Sequence, residues 1–155
     1  MKRDFTQRFG FLVNDVARLH GEQFDHLARE RIGLTLAQCR LLGALAMHGG
    51  QTSPVSQSEL AQRLDLSAMT VGGLCDRLEA AGWIDRTGCP TDRRVRHVRL
   101  AQKAEQALDA ALHLGDSLQA RALARLSAAE RGQLIALLGK AREGLIALAC
   151  AEQAQ

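Results

Sequence analysis

Hydrophobic residues recur at three- and four-residue intervals through most of the chain, the spacing of helices with one buried face. Phe5, Phe9, Leu12, Val13, Val16 and Leu19 form one stripe, extended less regularly by Phe24 and Leu27, and predict a helix from Asp4 to about Arg31. Gly33 closes it. Thr35 and Gln38 form a T-x-x-Q capping box for a second helix, with Leu36, Leu41, Leu42 and Leu45 on its buried side. His48-Gly49-Gly50 breaks that helix, and Gln51 to Val55 reads as a polar loop. Ser56 and Glu59 box a short third helix carrying Leu60, Ala61 and Leu64. After Asp65-Leu66, Ser67 is a good N-cap for a fourth, whose apolar side is Val71, Leu74, Cys75 and Leu78 and whose left-handed terminator is Gly82.

The period then changes to two. Trp83-Ile84-Asp85-Arg86 reads as a strand, and Val95, His97 and Arg99 alternate with Arg96, Val98 and Leu100 in another. Thr87 to Arg94 between them has the glycine, proline and aspartate of a turn. Helical spacing resumes from Gln102 to about Leu126 with Leu108, Ala111, Leu112 and Leu118. A third capping box, Ser127 with Glu130, opens a last helix that carries Leu134, Leu137, Leu138, Leu145 and Leu148, widened by Ile135 and Ile146.

Two short helices joined by so tight a turn make a helix-turn-helix, whose second helix can enter a DNA major groove. The side of that helix away from Val71 and Leu74 carries Ala68, Met69, Thr70, Gly73, Asp76 and Arg77, following the cap Ser67. Thr70 can bond a base edge or a phosphate, Ala68 and Met69 suit thymine methyls, and Arg77 suits a phosphate. The plain alternative is the solvated side of a packed helix. Gly72-Gly73 costs about 1 kcal/mol per residue relative to alanine, which a close approach to DNA or to another helix would explain.

Charge shifts the balance towards DNA. Asp85 to Arg99 holds five arginines against two aspartates, a local net of +3 that equals that of the whole chain. Cation concentrated at the tip of a hairpin beside a helix-turn-helix suits phosphate, and a protruding arginine suits a narrow minor groove.

Composition narrows the remaining options. The chain has 155 residues, few aromatics and no tyrosine, which favours helices over a β-sandwich. No secretory signal and no apolar run long enough for a bilayer stands in it, so the expectation is a cytoplasmic protein with no membrane partner. The four cysteines (39, 75, 89 and 150) and five histidines show no metal spacing, so no metal or other cofactor is expected. Nothing forms a nucleophile-base set or a phosphate-binding glycine loop, so enzymatic activity is not expected.

Helix-turn-helix, then LEAAGWIDR, then PTDRR and a returning V-R-L strand, resembles the winged helix-turn-helix of the MarR family of bacterial regulators. The likeness covers most of the chain, and D-R-R at the wing tip is its most specific part. It implies that Asp92 orients Arg94, or Arg93 in its place, for the minor groove, with Arg86 as support at the wing base. Arg86, Asp92, Arg93, Arg94 and Arg96 thus form the wing set, and Ser67, Ala68, Met69, Thr70, Gly73 and Arg77 the recognition-helix set. The sequence departs from the family's pattern at Cys89, where an aspartate is common, and at Ala101 and Ala104, where threonine and glycine are usual.

The expected fold is mainly α: a winged lobe over residues 34–100 with a small β-hairpin wing, an N-terminal dimerisation helix over 1–33, and long helices over 101–155 completing a dimerisation arm. The apolar arc of the last helix exceeds what one neighbour in the same chain needs. A two-fold dimer would set two recognition helices about 34–36 Å apart, one turn of DNA. The resemblance implies a homodimeric repressor of a pseudo-palindromic operator. It also implies a pocket for a phenolic or aromatic-acid effector between arm and lobe; His20 and Arg40 are loose candidates for holding its anion. Two alternatives stand beside this. One is a helical protein-interaction module; the other is a thiol-based sensor using Cys89, although peroxide-sensing relatives place their reactive cysteine in a first helix that here has none.

Overall fold

A computed structural model describes residues 5–48, 55–88 and 96–153. They fall into two compact units, Met1–Leu118 and Gln119–Gln155. Among the described residues six helices and three strands follow one another as α1 (Phe9–Ile32), α2 (Leu36–Ala46), β1 (Val55–Ser56), α3 (Gln57–Leu64), α4 (Ala68–Ala80), β2 (Ile84–Gly88), β3 (Arg96–Leu100), α5 (Ala104–Ala122) and α6 (Ala128–Gln153). This is the mainly helical, winged architecture expected.

Local chemistry sets most boundaries. Thr35 accepts the Gln38 N–H at 3.1 Å while the Gln38 side chain accepts the Thr35 N–H at 2.8 Å. Ser56 and Glu59 repeat that reciprocal box, as do Ser127 and Glu130. Gly33 and Gly82, both at φ 70°, take the left-handed turns that end α1 and follow α4. At Gly82 the exit is a Schellman pair, with Trp83 N–H bonded to Leu78 C=O and Gly82 N–H to Glu79 C=O, each at 2.8 Å.

The core of the first unit gathers Leu41, Leu42 and Leu45 of α2, Leu60 of α3, and Val71, Leu74, Cys75 and Leu78 of α4, with Ile84, Val98 and Leu100 of the sheet. Each fully buried aliphatic side chain contributes roughly 1.5–3 kcal/mol. Phe24 and Ala28 bring the last turns of α1 into this core, and Ala104 and Ala107 bring the first turns of α5. Asp25 ties α1 to α2: its carboxylate accepts the Leu36 N–H at 2.7 Å and the Arg29 Nε–H at 2.6 Å. Those two bonds, the Leu36 one first, hold the Asp25 carboxyl below its ordinary range.

Several boundaries differ from the reading of the sequence. The first helix begins at Phe9 rather than Asp4, because Arg8 is extended (φ −83°, ψ 138°) and supplies no cap. Phe5 lies outside it and stacks on Phe11 with ring centroids 5.8 Å apart. The stripe along α1 also has two fates: Phe9, Leu12, Val13, Val16 and Leu19 are exposed in the single chain, and only the Phe24 end is core. Val55, read as the end of a loop, forms a third strand with Ser56, which also caps α3 as expected. The sheet order is β1-β3-β2, antiparallel throughout, with Val55 opposite Val98 and Ile84 opposite Leu100. A lone hairpin is marginal in water, and the added edge makes β3 a central strand. Trp83 precedes the second strand, which runs on to Gly88, so Thr87 and Gly88 are ladder rather than turn. The fifth helix is shorter at both ends than expected. On it Leu112 is 67% exposed, whereas Leu118, as expected, and the small Ala104 and Ala107 are buried.

In the second unit, the Arg131 Nε–H closes the turn before α6 by bonding Leu126 C=O at 3.0 Å. Leu134 is half-buried, whereas Ile135, Leu137, Leu138, Leu145, Ile146 and Leu148 are exposed in the single chain. No described helix is long and apolar enough to cross a membrane.

Candidate nucleic-acid interface

The turn between α3 and α4 is made by Asp65, left-handed at φ 52°, a conformation that aspartate tolerates better than bulkier residues. Leu66 N–H then bonds Ala61 C=O at 3.0 Å and Ser67 caps α4 by accepting the Thr70 N–H at 3.1 Å. The tight geometry places Ser67, Ala68, Met69 and Thr70 together on an exposed tip, with Met69 88% exposed. Ser67 and Thr70 hydroxyl oxygens lie 2.8 Å apart and share one proton donor between them. Two hydroxyls with one mutual bond keep one outward O–H, so the pair offers the tip a single free donor.

The other side of α4 is fully used inside the lobe: Val71, Leu74, Cys75 and Leu78 are all buried. Polar tip and apolar base are therefore fixed by the same helix, which leaves no freedom to rotate the tip without opening the core.

Gly72 and Gly73 have nothing within 4 Å of where a Cβ would stand. Packing against another helix of this chain is thus not what keeps them small, which answers half of the question raised by the sequence. Gly73→Ala is expected to stabilise the free protein by about 0.5–1 kcal/mol, the helix-propensity difference, in a thermal unfolding measurement. A backbone that comes close to DNA would make the same substitution weaken binding; equal affinity and equal sequence preference in the two proteins would rule that role out.

Arg86, on β2, is only 12% exposed and is paired with α4. One guanidinium nitrogen lies 2.8 Å from the Asp76 carboxylate, and two more bond Glu79, Nε at 2.9 Å. Bonding to Arg86 holds the Glu79 carboxyl below its ordinary range. The sequence groups Arg86 with the DNA contacts of the wing, and its geometry is that of the support at the wing base: every guanidinium nitrogen is engaged with the recognition helix. Asp76, which the sequence puts on the reading face, is its partner. Neither pairing is visible as a local motif, since the partners lie seven and ten positions away on a different element.

Arg77 is exposed two turns along α4 from the tip, and Arg96 is exposed where β3 begins, opposite Gly88. Asp92, Arg93, Arg94 and Cys89 lie outside the described residues. Arg77 also lines a groove of about 690 Å³ between α1, α2 and α4, together with Leu36, Arg40, Leu66, Thr70 and Leu74. Among the described residues neither Arg40 nor Arg77 has an ion-pair partner. His20, the other candidate for an effector's anion, is exposed on α1 and does not line this groove.

Two of the described cysteines, Cys39 and Cys75, are a poor fit to a thiol sensor. Burial pushes the Cys39 thiol up to about 11 and raises that of Cys75, so both resist forming the reactive thiolate. Cys150 is exposed. No cluster that could hold a metal ion occurs among the described residues.

Comparison with known proteins agrees with this architecture. The MarR family model matches residues 32–95, the span from the end of α1 to the wing. A probable transcriptional regulator from Pseudomonas aeruginosa is 27% identical, with 88% of this chain and 98% of that one aligned at a TM-score of 0.72. Over residues 32–95 the chain is similar to the MarR family. Wild-type MarR from E. coli, in its apo form, is 23% identical over 86% of this chain and 95% of its own, at a TM-score of 0.77. A mutant E. coli MarR complexed with operator DNA is 22% identical over 90% and 99%, at a TM-score of 0.72. The MarR family is one of transcriptional regulators, not of enzymes. Helices α2, α3 and α4, with its exposed tip, and strand β2 lie within the span that the family model covers.

Proposed function

We propose that this chain is a sequence-specific DNA-binding regulator of the MarR family, a cytoplasmic homodimer that represses by occupying a pseudo-palindromic operator. The observation that carries the reading is the exposed Ser67–Thr70 tip of α4, held rigid by a buried opposite side and followed at once by a hairpin of net charge +3. The E. coli structure that contains operator DNA supports it by analogy of fold. Each α4 would enter a major groove, and each wing, through Arg94 or Arg93 oriented by Asp92, the neighbouring minor groove. Arg96 adds positive potential at the loop end of the hairpin, and Arg86 holds the wing against α4. The exposed apolar residues of α1 and of α6 are the surfaces that a second subunit would cover.

The effector class we infer is a phenolic or aromatic acid. The groove beside α4 supports it, with Leu36, Leu66 and Leu74 for a ring and, for a carboxylate, Arg40 and Arg77, which have no ion-pair partner among the described residues. Such a ligand switches the protein only if it binds one spacing of the recognition helices better than another.

Selection of duplexes from a random library by the wild-type protein tests the central reading. Enrichment of a two-fold related sequence is the expected result, and salt-sensitive binding with no preference would favour the protein-interaction alternative. On the selected duplex, Arg94→Ala is expected to lower affinity. It should also flatten the dependence of log K on log salt by about one phosphate equivalent per subunit. An unchanged slope and affinity would exclude Arg94 as a wing contact and turn attention to Arg93.

A further inference from the structure

The far end of α4 is held by a residue with no part in the interface described above. Lys103, immediately before α5, bonds the Ala81 C=O at the C-cap of α4 with its ammonium. The same ammonium sits 4.2 Å from the centroid of the Trp83 ring. Its aliphatic end passes 3.7 Å from where a Cβ on Gly82 would stand. The Ala101 N–H bonds Trp83 C=O at 3.0 Å beside it.

The physical logic is specific to a cation at this point. The last carbonyls of a helix carry partial negative charge, so an ammonium there is favoured. The face of an indole is also negative and adds a second attraction. One side chain therefore satisfies a C-terminal carbonyl of the recognition helix and covers the ring that begins the wing, while its own backbone opens α5. Ala104 and Ala107 seat the next turn of α5 in the core.

We propose that Lys103 is a positioning residue for DNA reading: it locks the C-terminal end of α4 and the base of the wing to α5, so that tip and wing meet a duplex in one fixed relation. The proposal rests on the DNA-binding reading for its function and on the Lys103–Ala81–Trp83 contact for its structure, and the two can fail separately.

Trp83 is the single tryptophan of the chain, so its emission reports on the contact directly. Lys103→Met keeps the length of the side chain and removes the charge. The expected results are a shifted Trp83 emission and easier quenching by acrylamide in the free protein. Affinity for the selected duplex should fall about tenfold at a temperature where the variant is fully folded, with the salt slope unchanged. Lys103→Arg, which can bond the same carbonyl and stack on the same ring, is expected to recover most of both. A fall in the salt slope would mean that Lys103 touches phosphate itself and would overturn the proposal. So would unchanged affinity in a folded variant with a lower Tm, which is the mark of a merely structural contact. Unchanged Trp83 emission would overturn it without reference to DNA. If the wild-type protein selects no duplex, the DNA-binding reading and the positioning role fall together. The emission and quenching measurements then still decide whether the contact exists.

Discussion

Leu78→Ala will destabilise the winged lobe by about 3 kcal/mol, within the 2–5 kcal/mol usual for truncating a fully buried leucine. Leu78 is 0% exposed and sits on α4 among Val71, Leu74 and Cys75, where α2, α3 and the sheet converge. The loss combines the transfer energy of the missing atoms with the cavity they leave, because the backbone around them cannot collapse. The backbone of Leu78 also matters, since its carbonyl accepts the Trp83 N–H that turns the chain out of α4 and into the wing. The alanine keeps that bond, so the expected variant folds to the same structure with a lower urea midpoint and an unchanged slope. A loss below about 1 kcal/mol would mean that α4 is not packed as described. Below the transition the variant should still bind DNA, because Leu78 is on the buried side of the helix and the tip is on the other.

Val16→Glu has the opposite profile, with little effect on the lobe and a large one on function. Val16 is 63% exposed in the single chain, flanked on α1 by Leu12 at 45% and Leu19 at 47%. A surface substitution that breaks nothing inside the chain changes stability by no more than about 0.5 kcal/mol. If α1 is covered by a second subunit, however, the carboxylate is buried without a partner, a cost of several kcal/mol that it avoids by dissociating. Light scattering is then expected to show a pair for the wild type and a single subunit for the variant. Losing the second reading head then removes the tethering advantage, and affinity for a two-fold duplex should fall by about 10²–10⁴-fold. A variant that remains paired would move the interface away from this part of α1. One that is single but binds as tightly as the wild type would show that one lobe suffices.

How much of this is legible in the residues can be judged element by element. The capping boxes at Thr35, Ser56 and Ser127 and the exits at Gly33 and Gly82 are bonds between neighbours three or four positions apart, and the residue types alone place them. The apolar side of α4 follows from the helical period in the same way, and with it the exposed tip opposite. The Val55–Ser56 strand has no such mark: two residues are too few to show a period, and their partners, Val98 and His97, stand more than forty positions away. Spacing alone misplaces the start of α1, because Phe5 continues the stripe while the backbone at Arg8 is extended.

The amino-acid sequence by itself determined the local chemistry: where the capped helices α2, α3, α4 and α6 begin, where α1 and α4 end, which side of α4 is apolar, and where positive charge gathers. Each of these depends on contacts within one or two turns, or on composition, and needs no knowledge of what lies across the molecule. Only the tertiary structure decided what each exposed or charged side chain is free to do. The sequence puts Arg86 in the wing set, as support at its base, without showing that Asp76 and Glu79 are the groups it holds, and nothing in the sequence places Lys103 on Ala81 and Trp83. The physical reason is that a charge is committed or available according to the groups that packing brings within about 3 Å, and those groups come from elements far apart in the chain.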